Sequence, residues 1–427
     1  MLRESCPWLQ TIREGHPRLC PFWSFLCRFA KAGSGRPFPR IDLIGHLNCT
    51  SKVMRSLSAL LRENEMADFP TRADEVDAAW LEVQLAQAGV LGDARIAEIE
   101  WQAIGTGQVG DTARFSLRYK NEASGAPATV AAKFPSSDAT SRQTAALFSL
   151  YSREVMFYRE VACLTQMRVP QVYAAMLDGN GCDFVLLFED LGPCSAGNQL
   201  AGCTLAQAQA AMRQAAALHA PTLDHPVLDA AWLQPDPQAS QKLRDLYPKA
   251  QAIFRERYAD ALAPDLMAVC EALNEDLDLW FERKHSRRSF LHGDFRLDNM
   301  LFGINGGQQP IALVDWQTAA AGCGLTDVGY FLGCGIGSEL RRPNERALLD
   351  IYCAEMSRLG VPLNLEDVWD DYRIGALHGV STAVFSAAFV VRTERGDANF
   401  LSMARGACEL ALEHDSLGAL KRRMELC

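Results

Sequence analysis

The stretch of sequence that decides the fold runs from Ser289 to Gly303 and reads SFLHGDFRLDNMLFG. Within eight positions, between apolar flanks, it places a histidine, two aspartates, an arginine and an asparagine. Burying such groups without hydrogen-bond partners would cost roughly 2–7 kcal/mol each. We therefore expect them to be satisfied by one another, by a metal ion or by a substrate.

The spacing of these polar residues suits phosphoryl transfer from a nucleotide. Asp294 and Asn299 are five positions apart, and Asp315 follows the apolar run PIALV. Such a reaction needs one carboxylate to accept a hydroxyl proton, and oxygen ligands to hold Mg²⁺ on the phosphates. We predict that Asp294 is the base and that Asn299 and Asp315 bind Mg²⁺. His292 would brace the loop, and Arg296 would donate to the transferring phosphoryl group.

A second group of residues, earlier in the chain, suits the nucleotide phosphates. The segment GTGQVG (105–110) is followed by the strand-like TARFSLRYK, which favours a glycine-rich flap over the helix-opening fingerprint of dinucleotide sites. Its glycines are Gly105, Gly107 and Gly110. One strand later, Lys133 is the residue that would hold the α- and β-phosphates. We predict Glu154 as the carboxylate that positions this lysine, with Glu160 as the rival.

The pattern of secondary structure separates a sheet-rich front half from a helix-rich back half. Three strand-like segments between residues 94 and 134 and a hairpin around DGNG (178–181) predict an antiparallel sheet. We expect one helix that begins after Thr71 as its N-cap, and one amphipathic helix over 144–164. From about residue 191, long helical segments dominate.

Composition narrows the class of protein. The formal charge of −10 gives no surplus of Lys and Arg for coating nucleic acid, and no apolar run approaches the ~20 residues that span a bilayer. The fourteen cysteines form no C-x-x-C pair, which favours free thiols in a reducing cytoplasm. We predict a soluble cytoplasmic protein with neither a nucleic-acid nor a membrane partner.

The first residues differ from the rest of the chain. Residues 1–53 carry eight Lys or Arg against three Asp or Glu, with five prolines and no sustained periodicity. We therefore expect a disordered extension over 1–66. A nucleotide-binding N-lobe would follow over 67–190, and a catalytic and substrate-binding C-lobe over 191–427.

These motifs, in this order, resemble the aminoglycoside phosphotransferase and choline kinase family of the protein-kinase-like fold, nearest to its ecdysteroid kinase-like members. HGDFRLDN is similar to the HGDxxxxN signature of that branch, and VDWQ (314–317) stands where protein kinases have Asp-Phe-Gly. The resemblance implies an α+β bilobal fold, with a small antiparallel-sheet N-lobe and a larger, mostly helical C-lobe. It implies ATP and Mg²⁺ as cofactors, and Asp327 as a brace of the catalytic loop. It also implies that the backbone of Glu189, Asp190 and Leu191 meets the adenine.

The acceptor of the phosphoryl group is predicted only by class. Eleven residues separate Asp315 from Asp327, too few for the long activation loop that positions peptides in protein kinases. A small molecule with a hydroxyl group is therefore expected. The acids of LEDVWDDYR (365–373) would suit an aminoglycoside, Arg392 and Arg395 an anionic acceptor, and the apolar run 381–391 a sterol-like one. Lactones, sugars, amino alcohols and hydroxyacyl-CoA stay open.

Two other functions stay open at this point. One is a nucleotide-binding pseudokinase that acts as a scaffold or sensor, and the other is an antibiotic-resistance kinase. The sequence gives no indication of the oligomeric state, which stays unknown.

Overall fold

The structure is a computed structural model, and it describes residues 69–105, 109–121, 125–285, 287–389 and 392–425. The extension predicted over residues 1–66 lies outside these described residues, as does Gly107 of the glycine-rich segment.

The front half of the described chain forms a five-stranded antiparallel sheet with strand order β1-β2-β3-β5-β4. Its strands are β1 (Ile96–Ile104), β2 (Gly110–Tyr119), β3 (Thr129–Pro135), β4 (Val172–Leu177) and β5 (Phe184–Glu189). The order places β3 in the centre of the sheet, so a residue on that strand is flanked by neighbours on both sides. The predicted sheet and the hairpin around 178–181 are confirmed.

The outer face of the sheet is covered by an N-terminal helix, α1 (Ala78–Gln87). Leu81 and Leu85 of this helix pack with Phe115 and Leu187 of the sheet in one apolar cluster. The prediction that Thr71 caps the helix is wrong. Asp77 is the cap and accepts a hydrogen bond from the backbone of Trp80 at 2.7 Å, because the chain first makes a 3₁₀ turn over Ala73–Glu75.

The helical stretch after β3 is broken into pieces, so the single helix predicted over 144–164 is wrong. Helix α2 (Ala139–Leu147) and helix α3 (Leu150–Met156) are separated at Ser149, whose φ of 56° is left-handed. A π-helical segment, Phe157–Val161, then continues α3. The ring of Phe157, the first residue of this segment, stacks on Trp316 with centroids 3.6 Å apart. The hydrophobic periodicity of the sequence does not indicate such a tertiary contact.

The back half is mostly helical. Its helices are α4 (Leu205–Thr222), α5 (Pro237–Tyr258), α6 (Pro264–Glu275), α7 (Leu277–Glu282), α8 (Leu325–Tyr330), α9 (Ser338–Arg358), α10 (Leu365–Gly375), α11 (Leu377–Phe389), α12 (Glu394–Glu413) and α13 (Ser416–Glu425). One apolar cluster joins α5, α6, α11 and α12, and a second continues from α4, α8 and α9 to the inner face of the sheet. The second cluster therefore joins the two lobes.

Short strands in the back half carry the polar stretch around residue 294. They are β6 (Ser195–Ala196), β7 (Ser289–Leu291), β8 (Met300–Gly303), β9 (Gln309–Leu313) and β10 (Ala320–Gly322). β8 pairs with β6 and β9, and β7 pairs with β10. The predicted α+β bilobal architecture, with a small antiparallel-sheet N-lobe and a larger helical C-lobe, is confirmed.

Two further properties concern only the part of the chain that the structure describes. No helix in these ranges is long and apolar enough to cross a membrane. The nine described cysteines are all free thiols, and the closest pair is Cys270 and Cys408, with sulfur atoms 3.6 Å apart.

Candidate active site

Lys133 lies on the central strand β3 and points into the cleft beneath the sheet. Its ammonium donates to both carboxylate oxygens of Glu154 on α3, at 2.9 and 2.7 Å, and lies 3.4 Å from Asp315. Burial lowers the pKa of Lys133, but Asp315 and Glu154 raise it by more, so the pKa lies above its usual value. A fixed positive charge therefore sits between two carboxylates. Glu160, the alternative partner predicted for Lys133, does not contact the lysine and accepts from the indole of Trp232 at 2.8 Å.

The ends of the glycine-rich segment approach this lysine. A Cβ built on Gly110 would lie 3.2 Å from Cε of Lys133, so the first residue of β2 runs beside the lysine stem. Gly105, with φ of 77°, turns the chain out of β1. The backbone of Val109 accepts from the hydroxyl of Tyr151 at 2.7 Å, which ties the segment to α3.

The segment predicted to meet adenine follows β5, and its side chains are already paired. Glu189 accepts from Arg168 at 2.7 Å, and Asp190 accepts two hydrogen bonds from Arg114, at 2.7 and 3.0 Å. The carbonyl of Leu191 accepts from the backbone of Asn305 at 3.0 Å. These pairs fix the path of the chain between the lobes and engage both carboxylates and the carbonyl of Leu191. Any contact of this segment with a base would be made by its other backbone groups.

The buried carboxylate of Asp327 holds the loop that precedes Asp294. Asp327 of α8 accepts from the backbone nitrogens of His292 and Gly293, at 2.7 and 3.0 Å, and lies 3.3 Å from Nε2 of His219. Gly293 has φ of 80°, and a Cβ there would lie 2.2 Å from the carbonyl of Thr318, so no larger residue fits. Asp327 thus lies where a brace of this loop is expected.

His292 also holds the loop through its ring. Its Nε2 lies 3.1 Å from the carbonyl of Val314, and its Nδ1 accepts from the backbone of Asp294 at 3.3 Å. The ring is therefore in its Nε2-protonated form, and it connects the loop to the end of β9. It holds the backbone of the loop through these two hydrogen bonds.

The carboxylate of Asp294 receives donors at both of its oxygens. Oδ1 accepts from Nε of Arg296 at 2.9 Å and from the hydroxyl of Tyr330 at 2.8 Å. Oδ2 accepts from the same Nε at 3.0 Å and from Nδ2 of Asn299 at 2.8 Å. Burial would raise the pKa of Asp294, but the Arg296 charge and these hydrogen bonds lower it by more. The group is therefore an ionised carboxylate at neutral pH.

Asn299 and Asp315 are brought together by the β8–β9 hairpin. Met300 pairs with Leu313, and the backbone of Val314 donates to the carbonyl of Asn299 at 3.1 Å. Asp315 then turns out of the strand with a left-handed φ of 68°, and 42% of its side chain is exposed to the cleft. The two predicted ligands therefore stand side by side.

The residues present fit a Mg²⁺ ion that is shared with phosphate groups. The amide nitrogen of Asn299 donates to the carbonyl and carboxylate of Asp294, which leaves its oxygen as the atom able to ligate a cation. Within the described ranges, no group of three or more His, Cys, Asp or Glu side chains is arranged to enclose a metal. One amide and one carboxylate are what Mg²⁺ takes from a protein when phosphates and water supply the remaining ligands.

Arg296 is more tightly held than its predicted role requires. Besides Asp294, it donates to Asp298 at 2.7 Å, and Asp298 in turn lies 3.6 Å from Arg395 of α12. To reach a phosphoryl group, the guanidinium would have to leave one of its two carboxylates.

Two contacts to the loop around Asp294 were not predicted from the sequence. Tyr330 reaches Asp294, and Nε2 of His378 donates to the carbonyl of Gly293 at 2.7 Å. A signal existed for the first: Tyr330 follows Asp327 by three positions, which places both side chains on one face of a helix. His378 lies 85 positions from the loop that it contacts, and no local spacing indicates it.

A family model and a set of solved structures match this chain. The model of the ecdysteroid kinase-like family matches residues 109–364, more than half of the chain. Matching solved structures include the GDP complex of an aminoglycoside 2'-phosphotransferase, with a TM-score of 0.45 and 14% identity over 78% of this chain and 99% of that chain. A microcompartment-associated aminopropanol kinase matches with a TM-score of 0.40 and 14% identity, over 80% of this chain and 99% of that chain.

A search among curated proteins finds no match. The described chain combines a small antiparallel-sheet lobe with a larger helical lobe. The chain belongs to the ecdysteroid kinase-like family.

Proposed function

We propose that the protein is an ATP- and Mg²⁺-dependent phosphotransferase that phosphorylates a hydroxyl group of a small molecule. One observation carries the proposal: Lys133 of the sheet lobe lies 3.4 Å from Asp315 of the helical lobe, with Glu154 on its other side. In the proposed division, residues 67–190 bind the nucleotide and residues 191–427 hold the catalytic loop and the acceptor.

The chemistry follows from the placement of the charges. Lys133 would hold the α- and β-phosphates, and backbone at Gly105, Gly107 and Gly110 would cover them. Mg²⁺, when bound by Asn299 and Asp315, would neutralise charge on the phosphates. Such reactions depend on positioning and electrostatics more than on covalent chemistry.

Asp294 is the proposed base. It is ionised, and its carboxylate is oriented by neighbouring donors, so it can accept the hydroxyl proton of an acceptor placed against it. Arg296, now bound to both oxygens of Asp294, would donate instead to the transferring phosphoryl group. His292 would keep the loop in place. The backbone of Glu189, Asp190 and Leu191 would meet the adenine.

The charges of the helical lobe bear on the class of acceptor. Of the four acids considered for an aminoglycoside, Asp367 accepts from the side-chain amide of Asn364 at 3.2 Å. The other three form ion pairs at 2.6–2.7 Å, Glu366 with Arg346, Asp370 with Arg373, and Asp371 with Arg423. They offer little free negative charge to a polycation. Membership in a family named for ecdysteroid kinases also favours a hydroxylated compound that is not a polycation.

The proposed compartment is the cytoplasm, where the free thiols of the described chain would stay reduced.

The test is Mg²⁺-dependent ATP consumption across a panel of hydroxylated compounds. The panel contains sterols, sugars, choline, amino alcohols, hydroxy acids, hydroxyacyl-CoA, macrolides and aminoglycosides, with Asp294→Asn as the matched blank. A product that forms with the wild type and not with the variant supports the proposal and names the acceptor. ATP binding without turnover of any compound would favour a scaffold or sensor. No ATP binding would contradict the proposal.

A further inference from the structure

The hydroxyl of Tyr330 lies 2.8 Å from Oδ1 of Asp294, and the proposed chemistry assigns no role to it. Tyr330 is fully buried, whereas about a quarter of the Asp294 side chain is exposed. The hydroxyl therefore reaches the carboxylate from the protein interior and leaves the cleft side of the base open.

The ring of Tyr330 has little freedom to move. It meets the ring of His378 edge-on with centroids 5.1 Å apart, and a Cβ on Gly379 would lie 3.3 Å from its Cδ2. His378 itself donates to the carbonyl of Gly293. Helix α11 therefore contacts the catalytic loop directly through His378 and indirectly through Tyr330.

The donors on Asp294 differ in what else they do. Arg296 is shared with Asp298 and, in the proposed function, leaves to meet the phosphoryl group. Asn299 holds Oδ2 and also bonds the backbone carbonyl of Asp294, so it cannot leave without disturbing the loop. Once Arg296 departs, Tyr330 on Oδ1 and Asn299 on Oδ2 are the donors that remain.

We propose that Tyr330 is a positioning residue for the phosphotransferase reaction, a role that rests on the proposed function. Together with Asn299 it fixes the Asp294 carboxylate at two points, one per oxygen. The positions that Arg296 gives up then become available to the acceptor hydroxyl. The orientation of the base is therefore set by buried donors and does not depend on the arginine that moves.

The first experiment is a double-mutant cycle on thermal unfolding, which needs no acceptor. Tyr330→Phe is compared in the wild type and in Asp294→Ala. A hydrogen bond to a charged group predicts a fall in Tm of about 3 °C in the wild type. In the Asp294→Ala background, a fall of about 1 °C or less is expected. Equal falls in both backgrounds would overturn the proposed contact.

The matched control is Tyr247→Phe. Tyr247 is also buried, and its hydroxyl has no hydrogen-bond partner within the described chain. Removal of the Tyr247 hydroxyl should leave the turnover unchanged.

The second experiment separates positioning from folding. With the acceptor identified by the panel, Tyr330→Phe should lower kcat about 10- to 100-fold, while KM for MgATP changes less than about twofold. Unchanged kcat would overturn the positioning role and leave a structural hydrogen bond only. If the wild type phosphorylates nothing, the proposed function has failed and the positioning role fails with it. The unfolding cycle would still show whether the contact exists.

Discussion

Lys133, on the sheet side of the cleft, is held by two carboxylates that come from separate parts of the chain, Glu154 and Asp315. Asp294, on the helical side, is held by Arg296 and Asn299 from its own loop and by Tyr330 of the following helix α8. The first arrangement exists only when the lobes meet, whereas the second is largely assembled by local chain geometry. Changes in the contacts between the lobes should therefore affect the position of Lys133. Changes that loosen the loop should affect the position of Asp294.

Removal of Mg²⁺ should have the largest effect, and it should act on turnover without loosening the loop around Asp294. Excess EDTA is expected to abolish turnover, because without Mg²⁺ the phosphates would face the uncharged amide of Asn299 and the negative carboxylate of Asp315 with no cation between them. The measurement is steady-state ADP release with chelator and after Mg²⁺ is restored in excess. Because Asp294 takes its donors from protein groups, Tm in the absence of nucleotide should not change. A chelator-resistant rate would contradict the magnesium assignment.

Replacement of Glu154 by Gln tests whether the lysine needs its carboxylate. The expected loss in kcat/KM for MgATP is about 10- to 100-fold, since the ammonium would keep only Asp315 as a counter-charge. Glu160→Gln is the matched control, because that carboxylate contacts Trp232 and lies away from the lysine. Equal kinetics for the two variants would remove Glu154 from the site.

Asp327→Asn tests the brace on the helical side. Asp327 is completely buried and accepts from the backbone nitrogens of His292 and Gly293. In the variant, the NH₂ group of the asparagine would face one of these N–H donors. We expect the free energy of unfolding to fall by about 3 kcal/mol. Urea denaturation measures it, with the half-exposed Asp370→Asn as the control. A loss as small as that of the control would show that the loop supports itself.

Asp190→Asn tests the connection between the lobes and should have the smallest effect, about 1 kcal/mol at pH 7. Burial would raise the pKa of Asp190, but Arg114 and backbone donors lower it by more, so that it lies below the usual aspartate value of 3.8. Such a group stabilises the protein above its unfolded pKa, and this stability is lost as the pH falls through the folded value. The difference in unfolding free energy between wild type and variant should therefore shrink below about pH 4. A constant difference would mean that the charge is not involved.

The sequence predicted the elements and the chain order of the site better than it predicted individual contacts. Asp294 and Asn299 could be identified because their spacing fits one short loop, and Lys133 because a strand carries it past a glycine-rich segment. Glu154 was preferred over Glu160 on helical position, and the structure places it against the lysine. The functional roles of all these residues stay predictions.

The failures have a common physical cause in tertiary packing. The predicted helix over 144–164 is broken at Ser149 and widened at Phe157, where the stack on Trp316 determines the backbone path. The capping role of Thr71 is taken by Asp77 because a 3₁₀ turn intervenes. His378 could not be predicted at all, since its contact joins two segments that only the folded lobe brings together.

The stack between Phe157 and Trp316 has a mechanical consequence. The two rings lie 8° from parallel, and beside them Arg153 of α3 donates to the carbonyl of Ala319 at 2.6 Å. These contacts connect the helix that carries Glu154 to the segment that carries Asp315. An outward movement of that helix would therefore have to separate the rings of Phe157 and Trp316 first. In the proposed phosphotransferase, these contacts would keep Glu154 and Asp315 on either side of Lys133 whether or not a substrate is bound.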